Sequence, residues 1–213
     1  ASDVVIATDD ERIAVCAKGF GADVLMTSPH HPTGTDRLAE VATRYLHDVD
    51  VIINIQGDEP ECNPHHIDTL IRLYSTSLNN LSSTHPTMAT LVCRFAPNQC
   101  EGQGSPLDPN CVKALLGAPI LDANDLSASK GVLGYEALYF SRSVVPYPRD
   151  TQGKVLNSEE YFMHCGVYAY SPALLKEFVR LPQSRYEKIE KLEQLRLIEN
   201  GYKIVAGVVE HAT

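Results

Sequence analysis

An apolar run that ends in a glycine and two acids poses the first chemical question. In NIQGDEP (54–60), Asp58 and Glu59 follow the run DVDVII (48–53). Successive side chains of an extended segment point to opposite sides, so the two acids are expected to hold different roles. A carboxylate turned toward a pocket suits a hard cation such as Mg²⁺, which is held by one or two carboxylates plus substrate phosphates. The competing reading is a Gly-Asp turn with a solvated acid. A second candidate is PTGTDR (32–37). Its glycine and threonine amides precede a helix, which favours an anion or the polar edge of a ligand, while Thr35 equally suits a helix N-cap. The chain has no GxxxxGK(S/T) and no GxGxxG between strand and helix, so the loop is neither a P-loop nor a dinucleotide fingerprint. In the second half Arg142, His164, Tyr168, Glu193 and Gln194 come from separate segments. His164 and Tyr168 lie four apart in HCGVYAY and share a strand face. Arg142 closes the run ALYFSR, where its planar fork suits a carboxylate. A surface ion pair for Arg142 and a core role for His164 are the alternatives.

These residues need elements to position them. DVVIAT (3–8), DVLMTS (23–28) and DVIINI (50–55) read as strands. Between and after them come helical segments: 9–22 with apolar positions 13, 16, 17 and 20, then 35–48, then one that starts at Pro64. Strand and helix alternating in this way predict a parallel sheet with right-handed crossovers. In such a sheet ligands sit at the carboxyl ends of the strands, which are TDD (8–10), SPHHPTGTDR (28–37) and QGDEP (56–60). Further strands are expected at 88–95, 111–117, 135–145, 164–171 and 203–209, and helices at 172–181 and 186–201.

Composition narrows the function classes. The 213 residues carry a formal net charge of −9, which argues against a general nucleic-acid binder, since phosphate contacts need a basic face. No apolar run approaches the roughly 20 residues that span a bilayer. The N-terminal ASDVVIATDD opens into a strand-like run rather than a signal peptide. Six cysteines are scattered without a CxxC pair, as expected for reduced thiols in the cytoplasm. Cys62 near His65 and His66 lacks a second ligand pair of zinc-finger spacing.

Taken together, VVIATDDERI, ADVLMTS, GTDRLAEV, NIQGDEP, MATLV, LDPNCVKALL, ALYFSR, PxPRD (146–150), HCGVYAYSPALL and LEQLRLIENGYKI resemble the 3-deoxy-manno-octulosonate (Kdo) cytidylyltransferases, over almost the whole chain and in that order. The resemblance implies an α/β, three-layer nucleotide-diphospho-sugar transferase-like fold with a mainly parallel central sheet. It implies one domain over 1–213, with a strand-rich sugar-binding and dimerisation insertion at about 135–171. It also implies transfer of CMP from CTP to Kdo for lipopolysaccharide synthesis, with pyrophosphate released. On that reading Asp58 binds Mg²⁺, and Gly34, Thr35, Arg37 and Gln56 lie near the nucleotide. Arg142, His164, Tyr168, Glu193 and Gln194 hold the sugar acid, and Asp58 and Arg142 serve catalysis. The implied partners are CTP and Kdo and a second copy of the chain, without nucleic acid or membrane.

The resemblance has two departures. The family opens with a basic loop of the pattern IPAR…SxRLPGK and closes with a GVDTPED-like segment that adds a metal carboxylate. Residues 1–10 do not match the first, and VEHAT (209–213) is reached without the second. The expectation is therefore a chain trimmed at both ends or a degenerate member, short of catalytic competence as it stands. A cytidylyltransferase for another acidic sugar, such as a sialic acid, and a non-catalytic binding remnant are the rival readings.

Overall fold

The computed structural model describes residues 3–46, 48–57, 62–80, 88–122 and 131–211. The chain forms two compact units, one of Ala1–Ile52 with Ser171–Arg180 and one of Ile53–Tyr170 with Leu181–Thr213.

In the first unit β1 (Val5–Thr8) and β2 (Asp23–Met26) pair in parallel from Val5↔Asp23 to Thr8↔Met26. The crossover is α1 (Glu11–Gly19), capped by Asp10, whose side chain accepts from the Arg12 amide at 2.8 Å. It stops at Phe20, and Gly21 then turns the chain with φ +86°, a value that glycine adopts without Cβ strain. Ala14 and Ala17 are its buried residues, and these small side chains let α1 lie close on both strands. Of the face expected from residues 13, 16, 17 and 20, Ala17 packs, while Cys16 is exposed and Ile13 and Phe20 are 51% and 70% exposed. Helix α2 (Gly34–Arg44) ends four residues before the expected position, because Tyr45 leaves helical geometry at φ −128°. It packs against α4 (Pro172–Phe178), which starts as Ser171 caps the Leu174 amide at 3.0 Å and proline fills the first turn.

The second unit is built on a six-stranded sheet of order β3-β7-β4-β8-β6-β5. Its strands are β3 (Ile52–Ile55), β4 (Met88–Arg94), β5 (Lys113–Leu121), β6 (Val132–Ser141), β7 (Phe162–Tyr170) and β8 (Ile204–Val209). β4 and β8 are parallel, while β4–β7, β5–β6 and β6–β8 are antiparallel. Parallel pairing thus follows the crossovers, and antiparallel pairing enters with the strand-rich stretch. The long helix α3 (Pro64–Asn80) packs on β4 and β8. Leu91, Val92, Phe140, Ile204 and Val205 are all fully buried in the core. Gly134 serves this packing directly, since a Cβ there would meet the Ala206 carbonyl oxygen at 2.6 Å and a Leu73 methyl at 2.8 Å.

Two local departures from regularity matter for the site. The β4–β7 register jumps from Thr90↔Tyr168 to Leu91↔Cys165, leaving Gly166 and Val167 as a bulge. The single helix expected over 186–201 is instead two, α5 (Arg185–Glu190) and α6 (Gln194–Glu199), because Lys191 turns left-handed at φ +56°.

Candidate functional site

Arg142 follows directly on β6. Its amide donates to Glu190 Oε2 at 2.9 Å, and its carbonyl accepts from Lys113 Nζ at 2.6 Å. Its Nε donates to the Glu190 carbonyl at 2.8 Å and its Nη1 to the Pro109 carbonyl at 3.0 Å. No carboxylate of the described residues forms an ion pair with the guanidinium. The alternative of a surface ion pair is therefore not what holds Arg142 among the described residues. Neutral carbonyls fix the base of the fork, and its charge stays available to an anion.

His164 and Tyr168 do share a face and touch, with ring centroids 5.4 Å apart. A regular strand would place residues four apart at about 13 Å. The bulge between them shortens that span. Inside it sits the buried Thr90, whose hydroxyl is 3.0 Å from His164 Nε2 and 2.9 Å from the Val167 carbonyl. Phe140 meets the other side of the imidazole edge-on at 5.0 Å. Burial pushes the His164 pKa down to about 4, so the ring is neutral near pH 7 and each nitrogen is a donor or an acceptor without charge.

Glu193 and Gln194 open α6, where Glu193 makes no side-chain cap. Gln194 is only 5% exposed, and its amide nitrogen has no hydrogen-bond partner among the described residues. A buried unpaired donor costs about 1–3 kcal/mol, so a group that accepts from it gains that much. Behind it Arg196 holds Glu187 with two bonds, Nε to Oε2 at 2.8 Å and Nη2 to Oε1 at 2.5 Å, both side chains being buried. Glu187 also closes a capping box with Ser184. This pair fixes α5 to α6 across the break at Lys191.

In the first unit the residues of PTGTDR sit at the start of α2. The N-cap is Thr33 and not Thr35, because the helix begins at Gly34, two residues before the start a Thr35 cap requires: the Thr33 hydroxyl accepts from the Asp36 amide at 3.3 Å and donates to its carboxylate at 2.7 Å. Thr35 is buried, and Gly34 is exposed with open space where a Cβ would stand. Arg37 ties the carboxyl ends of β1 and β2 together, pairing with Asp9 at 2.9 Å and donating to the Thr27 hydroxyl. Glu40 gathers the next loop by accepting from the Ser28 amide, His31 and Arg44, and the Ser28 bond leads in holding its carboxyl down to about 2.

Gln56 is exposed just past β3. Asp58 and Glu59 lie outside the described residues. Among the described residues no group of three or more histidine, cysteine, aspartate or glutamate side chains is arranged to hold a metal. The donor chemistry of Asp58 fits Mg²⁺ shared with phosphates, which asks for one or two carboxylates and not a protein cage.

Three residues around the site escaped the sequence reading. Thr90 and Glu190 carry no pattern that separates them from ordinary strand and helix residues. Lys113 did leave a signal, a lone cation within the strand-like CVKALLG.

The sequence profile of the family described as cytidylyltransferase matches residues 1–204. The chain belongs to the cytidylyltransferase family. Within it, a 3-deoxy-manno-octulosonate cytidylyltransferase of Parabacteroides distasonis is 40% identical over 211 residues, covering 99% of this chain and 75% of the relative. One of Chlorobaculum tepidum is 42% identical over 204 residues, covering 96% and 71%. The fold of this cytidylyltransferase matches a solved structure of CMP:2-keto-3-deoxy-manno-octonic acid synthetase complexed with CTP, with a TM-score of 0.76 and 32% identity over 99% of this chain and 73% of that one. A mannose-1-phosphate geranyltransferase from Thermus thermophilus matches with a TM-score of 0.56 at 14% identity and shares the fold alone. The expected α/β, nucleotide-diphospho-sugar transferase-like fold class therefore stands, but the central sheet is mixed rather than mainly parallel: among the described pairings β4–β8 is parallel, and β4–β7, β5–β6, β5–β7 and β6–β8 are antiparallel.

Proposed function

We propose that the chain is a CTP:Kdo cytidylyltransferase, which makes CMP-Kdo and pyrophosphate for lipopolysaccharide synthesis. The observation that carries this reading is Arg142: a guanidinium held by the Glu190 and Pro109 carbonyls and left without a carboxylate among the described residues. Such a group receives the carboxylate of a sugar acid in two-pronged fashion. The names of the relatives, with their identity over nearly the whole chain, select Kdo among acidic sugars.

In the reaction the anomeric hydroxyl of Kdo attacks the α-phosphorus of CTP. A new P–O bond forms as the bond to the β-phosphate oxygen breaks, and pyrophosphate leaves. The step needs positioning and charge neutralisation more than a covalent nucleophile. Arg142 fixes the sugar by its carboxylate and thereby aims the attacking oxygen. The neutral His164 ring, Tyr168, Glu193 and the buried Gln194 amide offer polar groups to the sugar hydroxyls, and an acid lacking the hydroxyl that meets Gln194 leaves that amide unpaired and is rejected. Gly34, Thr35, Arg37 and Gln56 serve the nucleotide. Asp58 holds Mg²⁺, which when bound offsets the charge of the triphosphate.

The enzyme works in the cytoplasm, a reading favoured by six scattered cysteines without a CxxC pair. It works as a homodimer, favoured by Leu138, Tyr147 and Leu156, large apolar side chains exposed within the strand-rich 135–171 stretch. The test is pyrophosphate release from CTP with Kdo or with a sialic acid as acceptor. Release with Kdo at a much higher rate supports the reading. Preference for the sialic acid transfers it to another sugar, and binding of both Kdo and CTP without turnover replaces the enzyme with a binding protein.

A further inference from the structure

Arg142 is held by a closed set of bonds that begins at a lysine with no exposure at all. Lys113 is 0% exposed, and its ammonium donates to the carbonyls of Asp108 at 2.8 Å, Cys111 at 2.6 Å and Arg142 at 2.6 Å. All three N–H donors of the group are thereby used. Burial pushes its pKa down, so the fold pays for keeping a cation where an aliphatic side chain would fill the same space.

The geometry shows what that cation organises. Two of its acceptors, Asp108 and Cys111, bracket Pro109, whose carbonyl holds Arg142 Nη1. The third acceptor is the peptide of Arg142 itself. Asp108 stiffens the same loop, with its carboxylate accepting from the amides of Gly104 at 2.9 Å and Asn110 at 2.8 Å. On the opposite side of the Arg142 peptide, Glu190 accepts from the Ser141 hydroxyl at 2.7 Å and the Arg142 amide at 2.9 Å, while its own carbonyl takes Nε. Lys113 thus grips the carbonyl side of residue 142 and Glu190 the amide side. Each also controls one of the two carbonyls on which the guanidinium rests.

We propose that Lys113 and Glu190 form a two-sided clamp of positioning residues that aims the Arg142 fork at the carboxylate of the sugar acid, and so sets affinity for that substrate and not for the nucleotide. The proposal rests on the reading of Arg142 as the group that receives that carboxylate. A lysine and a glutamate acting only as general fold staples would affect both substrates alike.

The test is titration of Kdo and of CTP into the protein expressed from its complete reading frame, as wild type, Arg142→Ala, Lys113→Met, Glu190→Ala and the two double variants with Arg142→Ala, with a melting curve for each. Lys113→Met and Glu190→Ala are each expected to weaken Kdo binding about ten-fold, the equivalent of one hydrogen bond to a charged group, with CTP binding unchanged. In the Arg142→Ala background neither is expected to weaken Kdo further, because both act through that side chain. Equal losses for Kdo and CTP, full additivity with Arg142→Ala, or no effect on Kdo overturns the clamp. Should Lys113→Met not fold, the half-buried Glu190 carries the same cycle. Arg142→Ala binding Kdo as well as wild type overturns the reading beneath the proposal, whereas a loss there with additive cycles overturns the clamp alone.

Discussion

At the scale of the residue, Arg142 carries a charge that no carboxylate of the described residues pairs. Arg142→Ala is expected to raise the Kdo KM by about 10- to 100-fold, in line with a lost charge-assisted bond, while the CTP KM moves little. Steady-state kinetics with each substrate varied in turn checks this, and equal losses contradict it. Asp58→Ala is expected to abolish pyrophosphate release, measured with a coupled phosphate assay, because on the proposed reading the Asp58 carboxylate holds the Mg²⁺. His164 gives a pH signature. Its folded pKa lies below the usual 6.5, at about 4, so between those values the unfolded chain binds more protons than the folded one. Stability is then full above about pH 6.5, falls as pH drops toward 4, and levels off below. The His164 contribution to that loss is on the order of 3 kcal/mol. Urea unfolding of wild type and His164→Gln at several pH values isolates it, and a slope unchanged by the substitution contradicts the burial assigned to the ring.

At the scale of the element, the site depends on places where regular structure is interrupted. The α5–α6 break at Lys191 is held by the buried Arg196–Glu187 pair. Arg196→Met leaves the Glu187 carboxylate buried without its partner and is expected to destabilise the protein by about 3–5 kcal/mol. A melting or urea curve reads this, and a shift within error contradicts the pair's role. These interruptions also mark what was and was not legible in the sequence. Strand and helix order was readable because apolar periodicity and capping signals are local: Asp10 capped α1 and Pro64 opened α3 as their types suggest. The face shared by His164 and Tyr168 was readable from strand alternation. The Gly166–Val167 bulge was not, because it depends on where Thr90 of another strand meets it. The split of 186–201 was hidden by a helical pattern that runs through Lys191. The Lys113–Arg142–Glu190 bonds join residues 29 and 48 positions apart, a separation that no sequence window reports.

At the scale of the whole molecule, membership of the cytidylyltransferase family and an Arg142 guanidinium held by carbonyls are consistent with the proposed reaction. The proposed homodimer is expected to sediment as a single species of twice the protomer mass, and substitution of the exposed Leu138 by aspartate is expected to shift it toward monomer. A wild-type monomer at micromolar concentration contradicts that assembly. The net charge of −9 leaves recognition of anionic substrates to individually placed cations such as Arg142 rather than to a broad basic surface. The most direct test of the proposed reaction is pyrophosphate release by the protein expressed from its complete reading frame, followed with CTP alone, with Kdo alone and with both, each with and without Mg²⁺. Release is expected only when CTP, Kdo and Mg²⁺ are all present, with CMP-Kdo formed in equal amount. Release without Kdo, or none with Kdo under conditions where both substrates bind, contradicts it.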